Sequence, residues 1–253
     1  MELNKIYNMD CIEGMRLLDS DSIDLTVTSP PYDNLRVYNG FTWDFEGVAK
    51  ELYRVTKQGG VVVWVVGDAT IKGSETGTSF RQALYFMECG FNLHDTMIYE
   101  KNNYPPLTHG RYEQSFEYMF VFSKGKPNIF NAIKINTKHE GRIPSGSFYH
   151  TSNQNKPTPA NNNKSVNKTK IKPNIFSYTV GGKKYGHPAP FPEQLASDHI
   201  ISWSNEGDTV LDPFMGSGTT AKMAIKNKRN FIGFELSKEY CDIANERIGE
   251  TKC

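Results

Sequence analysis

The sequence predicts an α/β protein: a mostly parallel sheet with helices on both faces, plus a basic insertion. Three observations carry that expectation. Short runs of Val, Ile, Leu and Phe alternate with segments of helical periodicity, the pattern of strands joined by crossover helices. One of those runs, residues 60–66 (GVVVWVV), is apolar in every position, as strands covered on both faces are, and 23–27 (IDLTV) reads as a second buried strand. Between two regular halves lies a stretch rich in Lys, Asn, Ser, Thr and Pro that has almost no apolar periodicity from 149 to 172.

The elements follow in order. A short strand precedes YNMDC, and 23–27 is a buried strand. Residues 45–55 (FEGVAKELYRV) form an amphipathic helix, 60–66 a fully buried strand, and 79–89 a helix closed by Gly90. Strands near 93–99 and 117–122 complete the first half. In the second half, 192–204 is helical, 209–211 a strand, 217–227 a helix, 231–234 a strand and 237–248 a helix. The expected division is 1–125, an inserted region 126–185, and 186–253. No internal repeat is visible.

Composition bounds the function. The 253 residues suffice for one α/β domain with an insertion, and 38% hydrophobic residues describe an ordinary globular chain. No apolar run approaches the ~20 residues of a membrane span, and MELNKIYNMD has no signal-peptide core. Cys11, Cys89, Cys241 and Cys253 form no CxxC pair, so neither a metal site nor a disulfide framework is expected, and a cytoplasmic, reducing setting is the plain reading. The net charge of +1 conceals a division. From 123 to 185, eleven Lys and Arg142 face one acid, Glu140, which leaves 17 bases against 27 acids elsewhere. A solvated loop explains many basic runs. This one is also too polar to build its own core, and a polyanion is the partner its charge attracts.

Two strand ends carry the chemistry. The strand at 23–27 ends in Ser29-Pro30-Pro31-Tyr32, where two prolines fix two φ angles near ~−65° and remove two donors. The result is a rigid, extended segment whose carbonyls are open acceptors, with an aromatic ring behind them. The second strand end is DTVLDPFMGSGTTA: Asp212 closes a strand, then Gly216 and Gly218 allow a tight turn and close backbone approach to a ligand. The following strand ends in Glu235 (NFIGFE), whose carboxylate suits the two hydroxyls of a ribose. GSGTTA also satisfies a dinucleotide fingerprint, so a nicotinamide enzyme is a rival. Against it stands the Asp-Pro-Phe before the turn, an acid suited to a cationic ligand group rather than a pyrophosphate.

In combination, TSPPY (28–32), HPAPFP (187–192), DPFMGSGTT (212–220) and FIGFE (231–235) resemble the amino-group DNA methyltransferases, specific for cytosine N4 or adenine N6. The similarity spans 4–125 and 185–248, with the catalytic half first and the cofactor half last, the β arrangement of that family. It implies a Rossmann-like class I fold, S-adenosylmethionine as cofactor, double-stranded DNA as substrate, and target recognition by the basic insertion. A homodimer and a cognate restriction endonuclease remain open as partners.

The resemblance also implies a site. Ser29, Pro30, Pro31 and Tyr32 would be catalytic. An exocyclic amine is a poor nucleophile because its lone pair is delocalised into the ring. Acceptors at Ser29 Oγ and the Pro30 carbonyl, fixed beforehand, would favour a pyramidal nitrogen, and Tyr32 would stack on the flipped base. Asp10 resembles the acid that meets the cofactor's adenine, although a lone Asp is often a helix cap. Asp212 would face the methionine ammonium. Cys11, Thr28, Phe214, Gly216, Ser217, Gly218, Thr219 and Glu235 complete the expected cofactor set, with His187, Pro188 and Phe191 bordering it. Lys164, Lys168, Lys170, Lys172, Arg142 and Arg111 are the expected DNA contacts, with Tyr104 and Tyr112 near Arg111. Ser29 stands where adenine-modifying members mostly carry Asp or Asn, which points to cytosine N4. The alternatives are adenine N6, an RNA or small-molecule methyltransferase, and a silent DNA-binding module.

Overall fold

The computed structural model describes residues 1–31, 43–104, 106, 110–143, 147–148, 158–159, 165–179 and 192–252. The first half runs β1 (Lys5–Asn8), α1 (Cys11–Arg16), β2 (Ile23–Thr28), α2 (Phe45–Val55) and β3 (Thr56–Val66). A small hairpin of β4 (Thr70–Ile71) and β5 (Ser74–Glu75) follows, then α3 (Thr78–Glu88), β6 (Asn92–Lys101) and β7 (Phe116–Ser123). Beyond them come β8 (Lys134–Asn136), β9 (Ser147–Phe148), β10 (Thr158–Pro159), β11 (Thr169–Ile171) and β12 (Ile175–Tyr178). The last part is α4 (Glu193–Trp203), β13 (Thr209–Asp212), α5 (Thr219–Lys226), β14 (Asn230–Glu235) and α6 (Lys238–Lys252).

Eight strands make one sheet in the order β1-β14-β13-β2-β3-β7-β6-β12. Every neighbouring pair is parallel except the two that involve β7, which runs against β3 and β6. The apolar runs explain the centre: Leu25, Val27 and Val61 to Val66 are all but inaccessible. α2 shows why one helix packs there. Asp44 caps it through Gly47 N (3.0 Å), and Val48, Ala49, Leu52 and Val55 form its buried stripe. Truncating Leu52 to Ala would cost roughly 2–5 kcal/mol, as removal of a fully buried Leu does. Trp64, Phe86, Phe122 and Phe234 fill the same core, with Phe86 stacked on Phe122 at 4.6 Å between ring centroids.

Strand order positions the site. The chain leaves β2 toward β3 on one side and leaves β13 toward β14 on the other, so the connections diverge between these two neighbours. In open α/β sheets that divergence opens a crevice beyond the carboxyl ends of the strands, where ligands bind. Thr28 ends β2 and Asp212 ends β13, so the two strand ends singled out from the sequence flank that crevice.

Several expectations shift for physical reasons. The helix expected from 217 begins at Thr219, because Gly218 has φ 81°, a left-handed conformation outside a right-handed helix. α1 goes unanticipated; Asp10 makes it by accepting from Ile12 N (2.8 Å) and Glu13 N (3.1 Å). The expected insertion, 126–185, is wider than the compact unit observed, Ala132–Pro173. β12 lies beyond that unit and pairs with β6 through Ile175↔Ile98 to Tyr178↔Lys101, burying Phe176 and Tyr178. The unit itself holds two short antiparallel ladders, β8 with β11 and β9 with β10. Among the described residues, no helix is long and apolar enough to cross a membrane, and no cluster of His, Cys, Asp and Glu is arranged to hold a metal.

Candidate active site at the sheet crevice

Asp212 is the pivot of the crevice. It is 1% exposed, yet carries a carboxylate whose hydrogen-bond partners among the described residues are neutral donors. Thr28 donates to its Oδ1 (2.7 Å), Thr220 to its Oδ2 (2.7 Å), and Phe214 N to Oδ1 (3.0 Å). Burial pushes its pKa up to about 6 against the pull of those three hydrogen bonds, and Glu235 adds to the rise. Among the described residues no cation is paired with it. A buried carboxylate left in that state is stabilised by any cationic group that docks beside it.

Glu235, on the neighbouring strand β14, organises the glycine turn. Its Oε2 accepts from Gly216 N (2.8 Å) and its Oε1 from Ser237 N (2.8 Å). Burial raises its pKa as well. The backbone N–H of Leu236 bonds the same carboxylate, and its two oxygens have four acceptor positions in all, so capacity remains for a ligand hydroxyl. Gly218 is required where it stands: beside its left-handed φ, a Cβ there would lie 2.8 Å from Ala244 Cβ on α6. Phe214 faces aromatic neighbours, edge-on to Trp43 at 5.2 Å and to Trp64 at 6.2 Å.

Asp10, Ser29 and Pro30 fall along the same edge; the other expected site residues are distributed more widely. Asp10 follows β1, Glu235 ends β14, Asp212 ends β13, and Ser29 and Pro30 follow β2, so strand order lays them in a row across the sheet. Ser29 is half-buried and Pro30 buried. Asp10 acts as the cap of α1 through Oδ1. Cys11 is buried in the core, and burial pushes its thiol pKa up to about 12, so its side chain is inert packing. Thr28 is fully buried and spends its hydroxyl on Asp212; it orients the acid rather than lining the crevice. Ser217 and Thr219 are buried against α6. Arg111 bonds the β4–β5 hairpin, with Nη2 donating to the Gly73 carbonyl and Nη1 3.7 Å from Glu75, while Tyr112 is fully exposed. Arg142, Lys168 and Lys170 are exposed on the separate Ala132–Pro173 unit, and Lys172 is half-exposed there. Tyr32, His187, Pro188, Phe191 and Lys164 lie outside the described residues.

Sequence reasoning missed Thr220 and Arg247. Thr220 was visible as the second Thr of GSGTT, but nothing in the letters says that it bonds Asp212. Arg247 is 4% exposed on α6, three residues after the buried Ala244; an Arg on a buried helical stripe was the available signal.

Comparison with known proteins places this geometry. A family of proteins described as DNA methylases matches residues 23–246. The orphan methyltransferase M.BamHII of Bacillus amyloliquefaciens is 58% identical over 236 residues, spanning 90% of this chain and 89% of that protein. The cytosine-N4-specific PvuII DNA methyltransferase has the same fold, with a TM-score of 0.72 at 23% identity over 96% of this chain and 85% of that one. The M1.HpyAVI–SAM complex matches with a TM-score of 0.63 at 26% identity over 96% and 98% of the two chains. Asp212, Glu235 and the glycine turn between them suit a cationic, ribose-bearing cofactor such as S-adenosylmethionine. The chain belongs to the N6/N4 DNA methylase family and is an S-adenosylmethionine-dependent DNA amino-methyltransferase.

Proposed function

We propose that this enzyme methylates the N4 amine of cytosine in double-stranded DNA, with Ser29 and Pro30 at the reacting amine and Asp212 and Glu235 at the cofactor. The carrying observation is that the Ser-Pro-Pro end of β2 and the acid that ends β13 flank one crevice, tied by the Thr28–Asp212 hydrogen bond of 2.7 Å. A base amine held at the first would meet a methyl donor held at the second. S-adenosylmethionine supplies an electrophilic methyl on a sulfonium.

The chain's own groups do the rest. Asp212 would pair with the ammonium of the cofactor and Glu235 with its ribose, the two acids bracketing the Gly216–Gly218 turn. Ser29 Oγ and the Pro30 carbonyl accept the hydrogens of the amine, which drives its lone pair out of conjugation. Pro30 and Pro31 hold that carbonyl in place before substrate arrives, so little reorganisation is needed at the moment of transfer. Tyr32 stacks on the extruded base. The choice of cytosine rests on Ser29: a hydroxyl is shorter than the carboxylate or amide of Asp or Asn, fits close to N4, and can donate to the adjacent N3. Lys164, Lys168, Lys170, Lys172 and Arg142 bind the phosphate backbone in this reading. The orphan status of M.BamHII supports action without a paired endonuclease.

Single-turnover transfer of tritiated methyl groups to plasmid DNA tests the roles. Ser29→Ala is expected to lower the transfer rate by about 10²-fold or more, the scale of losing a preorganised polar partner at the reacting atom. Its S-adenosylmethionine affinity should stay within about threefold, under 1 kcal/mol. Near-full activity of Ser29→Ala on its recognised DNA would refute the role given to that hydroxyl.

A further inference from the structure

We propose that Arg247, on the C-terminal helix α6, is a positioning residue that sets the conformation of the cofactor turn from behind. One face of α6 lies along the end of β14 and residues 217–219 of that turn. Cys241 Sγ lies 3.6 Å from the carbonyl oxygen of Glu235, Ala244 Cβ is where a Cβ on residue 218 would fall (2.8 Å), and Arg247 comes next, one turn on. The Arg247 guanidinium is buried, and its Nη1 donates to the carbonyl oxygen of Ser217, to Ser217 Oγ (2.8 Å) and to Thr219 Oγ1 (3.5 Å). Its Nη2 donates to Glu193 Oε1 (3.1 Å), which also accepts from Lys222 Nζ on α5.

The chemistry of that arrangement is specific. Ser217 sits between the two left-handed glycines, Gly216 at φ 50° and Gly218 at φ 81°. Its carbonyl is therefore turned away from any helical partner, and a guanidinium is the donor that holds it there. A planar fork can grip the turn with one nitrogen and Glu193 with the other; an ammonium on a flexible stem cannot hold both in fixed geometry. Glu193 is the first residue of α4, directly after the HPAPFP segment. Arg247 thus joins the cofactor turn, the start of α4 and α5 through one ion pair, buried on the arginine side and partly exposed at Glu193. It touches no substrate; it acts through Gly216–Thr219.

This inference rests on the reading of that turn as the S-adenosylmethionine site, and the experiment separates the two. Wild type, Arg247→Met, Arg247→Lys, Ser217→Ala and Asp212→Asn are compared by calorimetric titration with S-adenosylmethionine, by duplex-DNA binding, and by kcat at saturating cofactor. The expected result for Arg247→Met is an S-adenosylmethionine Kd and KM raised about 10-fold or more, with DNA affinity within about twofold and kcat largely retained. Arg247→Lys should recover part of the loss, and Ser217→Ala should show a smaller version of it. If Arg247→Met does not fold, the Lys and Ser217 variants decide: both at wild-type affinity would overturn the proposal. Equal loss of cofactor binding, DNA binding and kcat in Arg247→Lys would make the residue a general structural support and overturn it too. Unaltered cofactor binding in Asp212→Asn would instead remove the reading of the turn itself.

Discussion

Asp212→Asn should make the cofactor-free enzyme more stable and the enzyme a poorer binder of its cofactor. The carboxyl group moves from an ordinary pKa of 3.8 to about 6 on folding. That shift of about two units is worth roughly 3 kcal/mol at 1.36 kcal/mol per unit. The sign follows from linkage. The folded protein holds this proton more tightly than the unfolded chain, so the group opposes folding most strongly above pH 6. The opposition fades as pH falls from about 6 to 3.8. An amide removes the buried charge but turns its NH₂ toward Thr220 Oγ1, which must rotate to accept, so the net gain should be about 1–2 kcal/mol. For a chain of this size that is a rise in Tm of about 2–4 °C per kcal/mol at pH 8. Loss of the charge-assisted contact proposed between Asp212 and the cofactor ammonium should cost about 1.5–3 kcal/mol, a roughly 10- to 150-fold weaker Kd. Scanning fluorimetry of the cofactor-free protein and calorimetry with S-adenosylmethionine read the two effects separately. In the wild type, cofactor affinity should also decline as pH falls below about 6, and in Asp212→Asn it should not. A lower Tm together with an unchanged Kd would refute the reasoning.

Three further outcomes follow from the same structure. Replacing Lys168, Lys170 and Lys172 together by Gln should weaken DNA binding and reduce the slope of log K against log salt by about 0.9 per lost phosphate contact, measured by fluorescence anisotropy; an unchanged slope would assign the run to a solvated loop. Gly218→Ala combines a left-handed φ with a 2.8 Å clash against Ala244, so urea unfolding should show a loss of about 1–3 kcal/mol, and S-adenosylmethionine should bind more weakly; wild-type values for both would contradict the packing described. Thr28→Val keeps the volume of a buried residue but removes a donor to Asp212, so the pH below which cofactor binding declines should move upward in a calorimetric pH series; no movement would mean that Thr28 does not tune the acid.

The regular elements were legible because their causes are local. A run such as GVVVWVV has one stable destination in a protein of this size, and FEGVAKELYRV carries its own buried stripe. The glycine turn was legible for the same reason: left-handed glycines, an acid before them and a strand end are all written within seven residues. The row of acids across the edge was not, because Asp10, Glu235 and Asp212 become neighbours only through the strand order. Arg247 stayed hidden because its partners are set by helix packing, which places α6 against a turn some thirty residues earlier in the chain, and Thr220 because its bonds to Asp212 and the Val27 carbonyl depend on how the turn folds back on β13 and β2. β12 was absorbed into the polar insertion because IFSY is short and follows a lysine-rich stretch; only its pairing with β6 reveals two buried aromatic side chains.

The base is the sharpest test of the account. Plasmid DNA methylated by the purified enzyme with S-adenosylmethionine, digested to nucleosides and separated by mass spectrometry, reports the modified base directly. The proposed placing of the short Ser29 hydroxyl at the reacting amine predicts N4-methylcytosine. N6-methyladenine with no N4-methylcytosine would contradict the assignment of Ser29 to a cytosine amine.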